Sequence, residues 1–312
     1  MNDDRARLRA AWRRHERRWA DNRYVYAVVS RRSGGLSVGV NLNPDKGCNF
    51  DCIYCQVDRT IPPVVRTVDL DRLATELDLV LTAARDGRLF DKRPLNALPP
   101  GRREVRDIAF SGDGEPTTCP VFGDAVRIAV EARRRFDLEA TKIVLITDAA
   151  YLNRPMVRQT LGVLDENNGE IWAKLDAGTE AFFERVNRPN VPFRVVLENI
   201  TEAARLRPIV IQSLWMRIDA EGPPPGEIEA FCERVNEVVA AGGRIKAIQL
   251  YTIARTPAMT NVTPLADGEL DAIAAVVRAR VPVPAEIYYG VSGPPSNPTS
   301  LSAQQSRSPD GT

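Results

Sequence analysis

Two patterns alternate along this chain, and their alternation leaves few folds open. Runs rich in β-branched and apolar residues occur at 24–29, 37–42, 105–110, 142–147, 170–175, 208–218, 245–253 and 285–291. Between them, near 69–86, 121–136, 154–165, 194–206, 226–241 and 267–280, apolar residues recur with the period of a helix that buries one stripe. A run that is apolar along its whole length needs cover on both faces, and a parallel sheet flanked by helices supplies it. The order predicts an α/β fold of about six consecutive βα units, a full or partial (β/α)6 TIM-type barrel with no internal sequence repeat. In such barrels chemistry gathers at the C-terminal ends of the strands, so the segments that follow the apolar runs are the place to look for functional residues.

The 312 residues can bury a substantial core, and 42 Lys and Arg against 41 Asp and Glu leave a formal net charge of only +1. No overall field therefore selects nucleic acid or a membrane surface. No apolar run reaches the roughly 18 residues that span a bilayer. The opening residues, MNDDRARLRAAWRRHERRW, lack the apolar h-region of a secretory signal. A soluble cytoplasmic protein is expected. Residues 1–22 read as a basic N-terminal helix with apolar Leu8, Ala11, Trp12 and Trp19. It is either a solvated helix laid on the domain or an arm that contacts RNA. Residues 23–292 form the expected core domain, and the Pro-, Ser- and Gly-rich stretch 293–312 is an expected disordered tail.

Three of the five cysteines fall in one short segment, Gly47-Cys48-Asn49-Phe50-Asp51-Cys52-Ile53-Tyr54-Cys55-Gln56, directly after the run SVGVNLN. Clustered cysteines in a reducing compartment are more often metal ligands than disulfides. Thiolates suit iron–sulfur clusters, zinc or Cu(I), and structural zinc normally takes four protein ligands. Here a nearby fourth is missing, and the single histidine, His15, lies in the Arg-rich N-terminal stretch. Three thiolates can hold three irons of a cubane and leave the fourth open for chemistry. A zinc knuckle is the bland alternative. Cys119 stands alone after a glycine loop, where a redox or hydrogen-donor role is open, and Cys232 sits in a helical stretch and is expected in the core.

The C-x3-C-x2-C spacing, with Tyr54 before the last cysteine, resembles the signature of the radical S-adenosylmethionine (SAM) superfamily. The resemblance spans roughly 25–290 and implies a barrel of the radical SAM type. It implies a [4Fe–4S] cluster on Cys48, Cys52 and Cys55 whose open iron chelates SAM. It further implies one-electron cleavage of SAM to a 5′-deoxyadenosyl radical that abstracts hydrogen, with a donor such as flavodoxin or ferredoxin. Tyr54 would border the adenine. Ser111-Gly112-Asp113-Gly114-Glu115-Pro116-Thr117, after the run VRDIAF, is similar to the superfamily's glycine-glycine-glutamate loop, departing from it by the inserted Asp113. Glycines let a backbone approach a ligand closely, here the methionine end of SAM, although such a loop is also a plain turn.

Thr147-Asp148 and Lys174 with Asp176 stand at two further strand ends, and Asp176 resembles the position that bonds the ribose. A helix N-cap or a solvated strand end is the alternative for each. Gln212, Ser213 and Arg217 are candidates for the SAM carboxylate, and Leu250 and Tyr251 for the adenine. Residues 30–41 and 172–189 resemble a bacterial branch loosely related to wyosine tRNA synthetase-like proteins. The substrate stays open between a small molecule, a peptide and a tRNA base, with a non-catalytic metal-binding interaction protein as the reading from another class.

Overall fold

The computed structural model describes residues 11–12, 19–63, 65–91 and 93–290. The apolar runs become strands β1 (Val25–Ser30), β2 (Gly35–Val40), β3 (Val105–Phe110), β4 (Lys142–Thr147), β5 (Gly169–Lys174), β6 (Ile209–Leu214), β7 (Met216–Ile218), β8 (Ile245–Tyr251), β9 (Val262–Pro264) and β10 (Ala285–Tyr288). The helices are α1 (Leu70–Arg85), α2 (Phe122–Arg135), α3 (Pro155–Asp165), α4 (Glu180–Asn187), α5 (Phe193–Leu206), α6 (Pro225–Ala240) and α7 (Asp267–Arg280).

Strand order in the main sheet is β1-β2-β3-β4-β5-β6-β8-β10. β1 and β2 form an antiparallel hairpin, in which Gly34 takes the positive φ of 72° that the turn demands. Every later pairing is parallel, so six βα units follow one another round a curled sheet that ends on β10. Among the described residues β1 and β10 do not pair, so the partial form of the barrel is the one adopted. The gap is tied by Arg31, whose guanidinium donates to the carbonyls of Tyr288 and Tyr289.

Alternate strand residues point to opposite faces. Leu36, Val38, Ile108, Phe110, Ile143, Leu145, Ile211 and Ile248 face the helices in the main core. Ala109, Val144, Trp172 and Val210 form a separate small cluster, the apolar part of the barrel's inner face. Below it Glu170 accepts from Lys142 Nζ (3.2 Å), Lys246 Nζ (2.6 Å) and Trp172 Nε1 (2.8 Å).

Three departures from the sequence reading matter for the site. The run 208–218 is two strands: β6 stops at Leu214 and β7 leaves the sheet to pair antiparallel with β9. Helix α4, capped by the Thr179 side chain on Phe182 N–H, is one the periodicity does not predict, since eight residues carry too few turns to show a stripe. The expected N-terminal helix lies outside the described residues except at 11–12 and 19–22, and the expected tail lies wholly outside them. Ala11 is buried in the main core, and the Trp12 carbonyl accepts from Arg255 Nε at 3.2 Å. No described helix is long and apolar enough to cross a membrane.

The start of β1 hangs on one buried carboxylate. Glu76, on α1, accepts from the amides of Arg23 (2.8 Å), Tyr24 (2.7 Å) and Val25 (3.1 Å), and pairs with Arg72 Nε at 2.7 Å. Glu76→Ala strands two buried donors, each worth about 1 kcal/mol, and a partly exposed third, so we expect a loss of ~2 kcal/mol in urea unfolding of the full chain. A loss below ~1 kcal/mol would show that water replaces the carboxylate.

Candidate active site

The cysteine loop follows β2 and has little regular structure of its own; its neighbours hold it. On one side lies the glycine loop after β3. Glu115 N–H donates to the Gly47 carbonyl (2.9 Å), and a Cβ on Gly114 would stand 1.9 Å from that same oxygen. A Cβ on Gly112 would stand 2.3 Å from Asn41 Oδ1. Both glycines are therefore required by the packing of one loop on the other. On the other side lies the end of α4: Asp51 N–H donates to the Asn187 carbonyl (3.0 Å), Ile53 N–H to that of Val186 (2.9 Å), and the Phe50 ring packs edge-on to Phe183 at 5.3 Å. A third contact, Ala258 N–H to the Cys55 carbonyl at 2.9 Å, joins the loop to the segment after β8.

Cys48, Cys52 and Cys55 line one cavity of about 300 Å³, at the small end of ligand sites. Tyr54, Gly112, Gly114, Glu115, Thr147 and Lys174 line it too, as do Asp148, Gln212 and Tyr251. Other residues named from the sequence stand elsewhere. Asp113 sits beside the cavity and takes Asn41 Nδ2 at 2.7 Å. Asp176 is buried beneath it, and its carboxylate accepts from Leu214 N–H (2.8 Å), Asn187 Nδ2 (3.1 Å) and the Tyr54 hydroxyl while pairing with Lys174 Nζ at 3.2 Å. With both oxygens so engaged, Asp176 positions Tyr54 and Lys174. Ser213 follows Gln212 and so points the other way, and Leu250 faces the helix layer for the same reason. Arg217, on β7, is paired with Glu269 at 2.6 Å. Cys119 and Cys232 are both packed in the main core.

Burial drives the electrostatics. Glu115 is fully engaged, accepting from Thr117 N–H (3.0 Å), Thr117 Oγ1 (2.6 Å), Thr147 Oγ1 (2.8 Å) and Asp148 N–H (2.7 Å), yet burial still raises its carboxyl above the usual range. Burial, with Glu115 adding, pushes Asp148 well above its ordinary value. Asp148 Oδ2 lies 3.9 Å from Cys48 Sγ. Burial first and Asp148 second push the Cys48 thiol far up. Cys52 is pushed up to about 12 by burial and then by Asp176, against hydrogen bonds from Tyr54 and Asn187. Cys55 Sγ instead accepts from Arg59 Nη1 at 3.4 Å. Burial pulls the Lys174 ammonium down, and Asp176 and Tyr251 outweigh it, so Lys174 stays charged.

Three thiols on one cavity wall are a donor set of the kind that suits several soft metal ions. Cys48 and Cys52 stay neutral beside buried carboxylates until a cation draws off their protons. Among the described residues no three Cys, His, Asp or Glu side chains converge on a single ion. Asn187 was missed as a site residue. Its Nδ2 lies 3.4 Å from Cys52 Sγ, and its Oδ1 is buried with no partner. The run Val186-Asn187-Arg188-Pro189 was visible in the sequence, but nothing there pairs it with a cysteine 135 residues away.

No family model matches the chain. It is 29% identical over 179 residues to a UPF0026 protein of Methanocaldococcus jannaschii, covering 57% of this chain and 47% of that protein. It is 24% identical over 251 residues to a GTPase Obg of Brachyspira hyodysenteriae, covering 78% of this chain and 32% of that protein. The chain thus spans a third to a half of the length of these two relatives. Among solved structures, Streptococcus suis SuiB bound to S-adenosylmethionine superposes with a TM-score of 0.51 at 11% identity, covering 83% of this chain and 49% of that one. At that identity the likeness is one of fold alone.

The thiols differ enough to be told apart. With Cys52 near 12, about one thiol in ten thousand is ionised at pH 8. Iodoacetamide on the metal-free chain should label Cys55 first and Cys48 and Cys52 at least about tenfold more slowly, with those two rates rising as pH rises. Peptide mass spectrometry reads the order; equal rates at pH 8 would overturn this account of the loop.

Proposed function

We propose that this protein is a cytoplasmic radical SAM enzyme whose [4Fe–4S] cluster is held by Cys48, Cys52 and Cys55. The observation that carries the reading is three thiols of one loop on the wall of a cavity at the C-terminal ends of parallel strands. When bound, the cluster and SAM supply the one-electron cleavage that makes a 5′-deoxyadenosyl radical, and with it hydrogen abstraction from a substrate. The chain's own part is placement and electrostatics. The glycine loop holds the cysteine loop in register, with Glu115 as the buried tie between the ends of β3 and β4. Gly112, Gly114 and Thr147 leave room beside the thiols for SAM, and Tyr54 and Lys174, oriented by Asp176, offer it a ring and a charge. A soluble one-electron donor such as flavodoxin or ferredoxin is the implied partner. A non-catalytic metal-binding protein has no use for a cavity lined by buried polar groups, which favours the enzyme. Within the enzyme reading, a tRNA base stays the alternative to a small molecule or peptide.

Anaerobically reconstituted protein should hold close to four irons and four sulfides per chain, and should form 5′-deoxyadenosine slowly from SAM under dithionite. Single Cys48→Ala, Cys52→Ala or Cys55→Ala changes should abolish both, while Cys119→Ala and Cys232→Ala should spare both. Stoichiometric zinc in place of iron would sink the proposal.

A further inference from the structure

The chemistry proposed above leaves unused a cation at the far side of the cavity. Arg32 belongs to the β1–β2 turn, at the end of the barrel opposite the cysteine loop. Its side chain enters the lumen and lines the cavity, with the guanidinium carbon 5.6 Å from the Trp172 ring centroid and 5.1 Å from that of Tyr251. At these distances both rings are within cation–π range of the guanidinium, a contact that uses none of its N–H donors. Among the described residues Arg32 makes no hydrogen bond and no ion pair. Asp107, on the same cavity wall, feels the Arg32 charge without forming an ion pair with it. Asp107 takes Ser37 Oγ at 2.5 Å, and Glu170 is shared by Lys142, Lys246 and Trp172. Arg31 is spent on the carbonyls of Tyr288 and Tyr289.

A second observation points into the same space. Gln212 is fully buried and lines the cavity; its Nε2 donates to Gln249 Oε1 at 2.8 Å, and its own Oε1 has no partner among the described residues. Buried polar atoms are normally satisfied, so an unmet acceptor on a cavity wall calls for a donor from a ligand. The lumen thus offers an unpaired fork of N–H donors and an unpaired carbonyl, walled by two aromatic rings.

We propose that Arg32 is the anchor for an oxyanion, a carboxylate or a phosphoryl group, on a small substrate whose hydroxyl or amino group reaches Gln212. Resting on the radical SAM reading, this orients the substrate with its acidic end away from the thiols and its hydrogen-bearing carbons towards them. A fork of guanidinium donors binds planar oxyanions bidentately, which an ammonium cannot do.

The test uses the full-length chain and simple probes. Sodium acetate and inorganic phosphate are titrated calorimetrically against chloride of matched ionic strength, in wild type, Arg32→Ala, Arg32→Lys and a Cys48→Ala/Cys52→Ala/Cys55→Ala triple variant. We expect saturable binding of at least one probe, weakened about tenfold or more by Arg32→Ala and to a lesser extent by Arg32→Lys. The triple variant should bind as wild type does, so anion binding survives even where the cluster reading fails. Tighter binding of acetate assigns a carboxylate, and tighter binding of phosphate a phosphoryl group. If Arg32→Ala does not fold, Arg32→Lys decides alone. No saturation below about 100 mM, or unchanged affinity in the arginine variants, would overturn the proposal.

Discussion

Burying a carboxylate costs several kcal/mol unless its lone pairs are met, and the C-terminal end of this barrel is organised round three carboxylates that are met. Glu115 joins the glycine loop to the end of β4, Asp148 takes Asn49 and its own following turn, and Asp176 gathers β6, Tyr54, Lys174 and Asn187. Each joins segments distant in sequence, so the loops between strand and helix cannot drift independently. The cysteine loop, with few hydrogen bonds within itself, inherits its shape from them.

The same acids set the charge of the site. Cys48 faces Asp148 and Cys52 faces Asp176 in surroundings that disfavour any added negative charge, so both thiols are held protonated. Metal ions would reverse that balance by drawing the protons off the thiols. Cys55, beside Arg59, stands outside this arrangement. One loop therefore carries two kinds of thiol, set apart by their neighbours rather than by their spacing.

The lumen divides along its length. The thiols, glycines and Thr147 occupy the strand ends, the Trp172 cluster forms an apolar middle, and Lys142, Glu170 and Lys246 close the floor. Arg32 crosses this order from below, which only an antiparallel hairpin at the open edge permits. β1 runs down beside β2, and its turn delivers two arginines to the base of the sheet. Arg31 ties that turn to β10 across the gap, leaving Arg32 inside.

What the sequence determined by itself was whatever is encoded locally. Continuous apolar runs separated by helical stripes specify βα units, because both signals repeat within a dozen residues, and the C-x3-C-x2-C spacing names three thiols because one short loop carries them all. Tertiary structure decided which side each strand residue faces and what meets it there. Gln212 and Ser213, or Leu250 and Tyr251, are neighbours in sequence, yet one of each pair lines the cavity and the other is buried outside it, since successive strand residues alternate. Asp176 looked like a ligand-facing acid at a strand end and is instead consumed by Tyr54, Asn187, Leu214 and Lys174, from as far as 122 residues away. Helix α4 left no periodic signal, and the sequence marked Arg32 as a basic residue without placing it inside the barrel. Their roles come from contacts with the cysteine loop and with Trp172 and Tyr251, which exist only once the sheet has curled and brought them together.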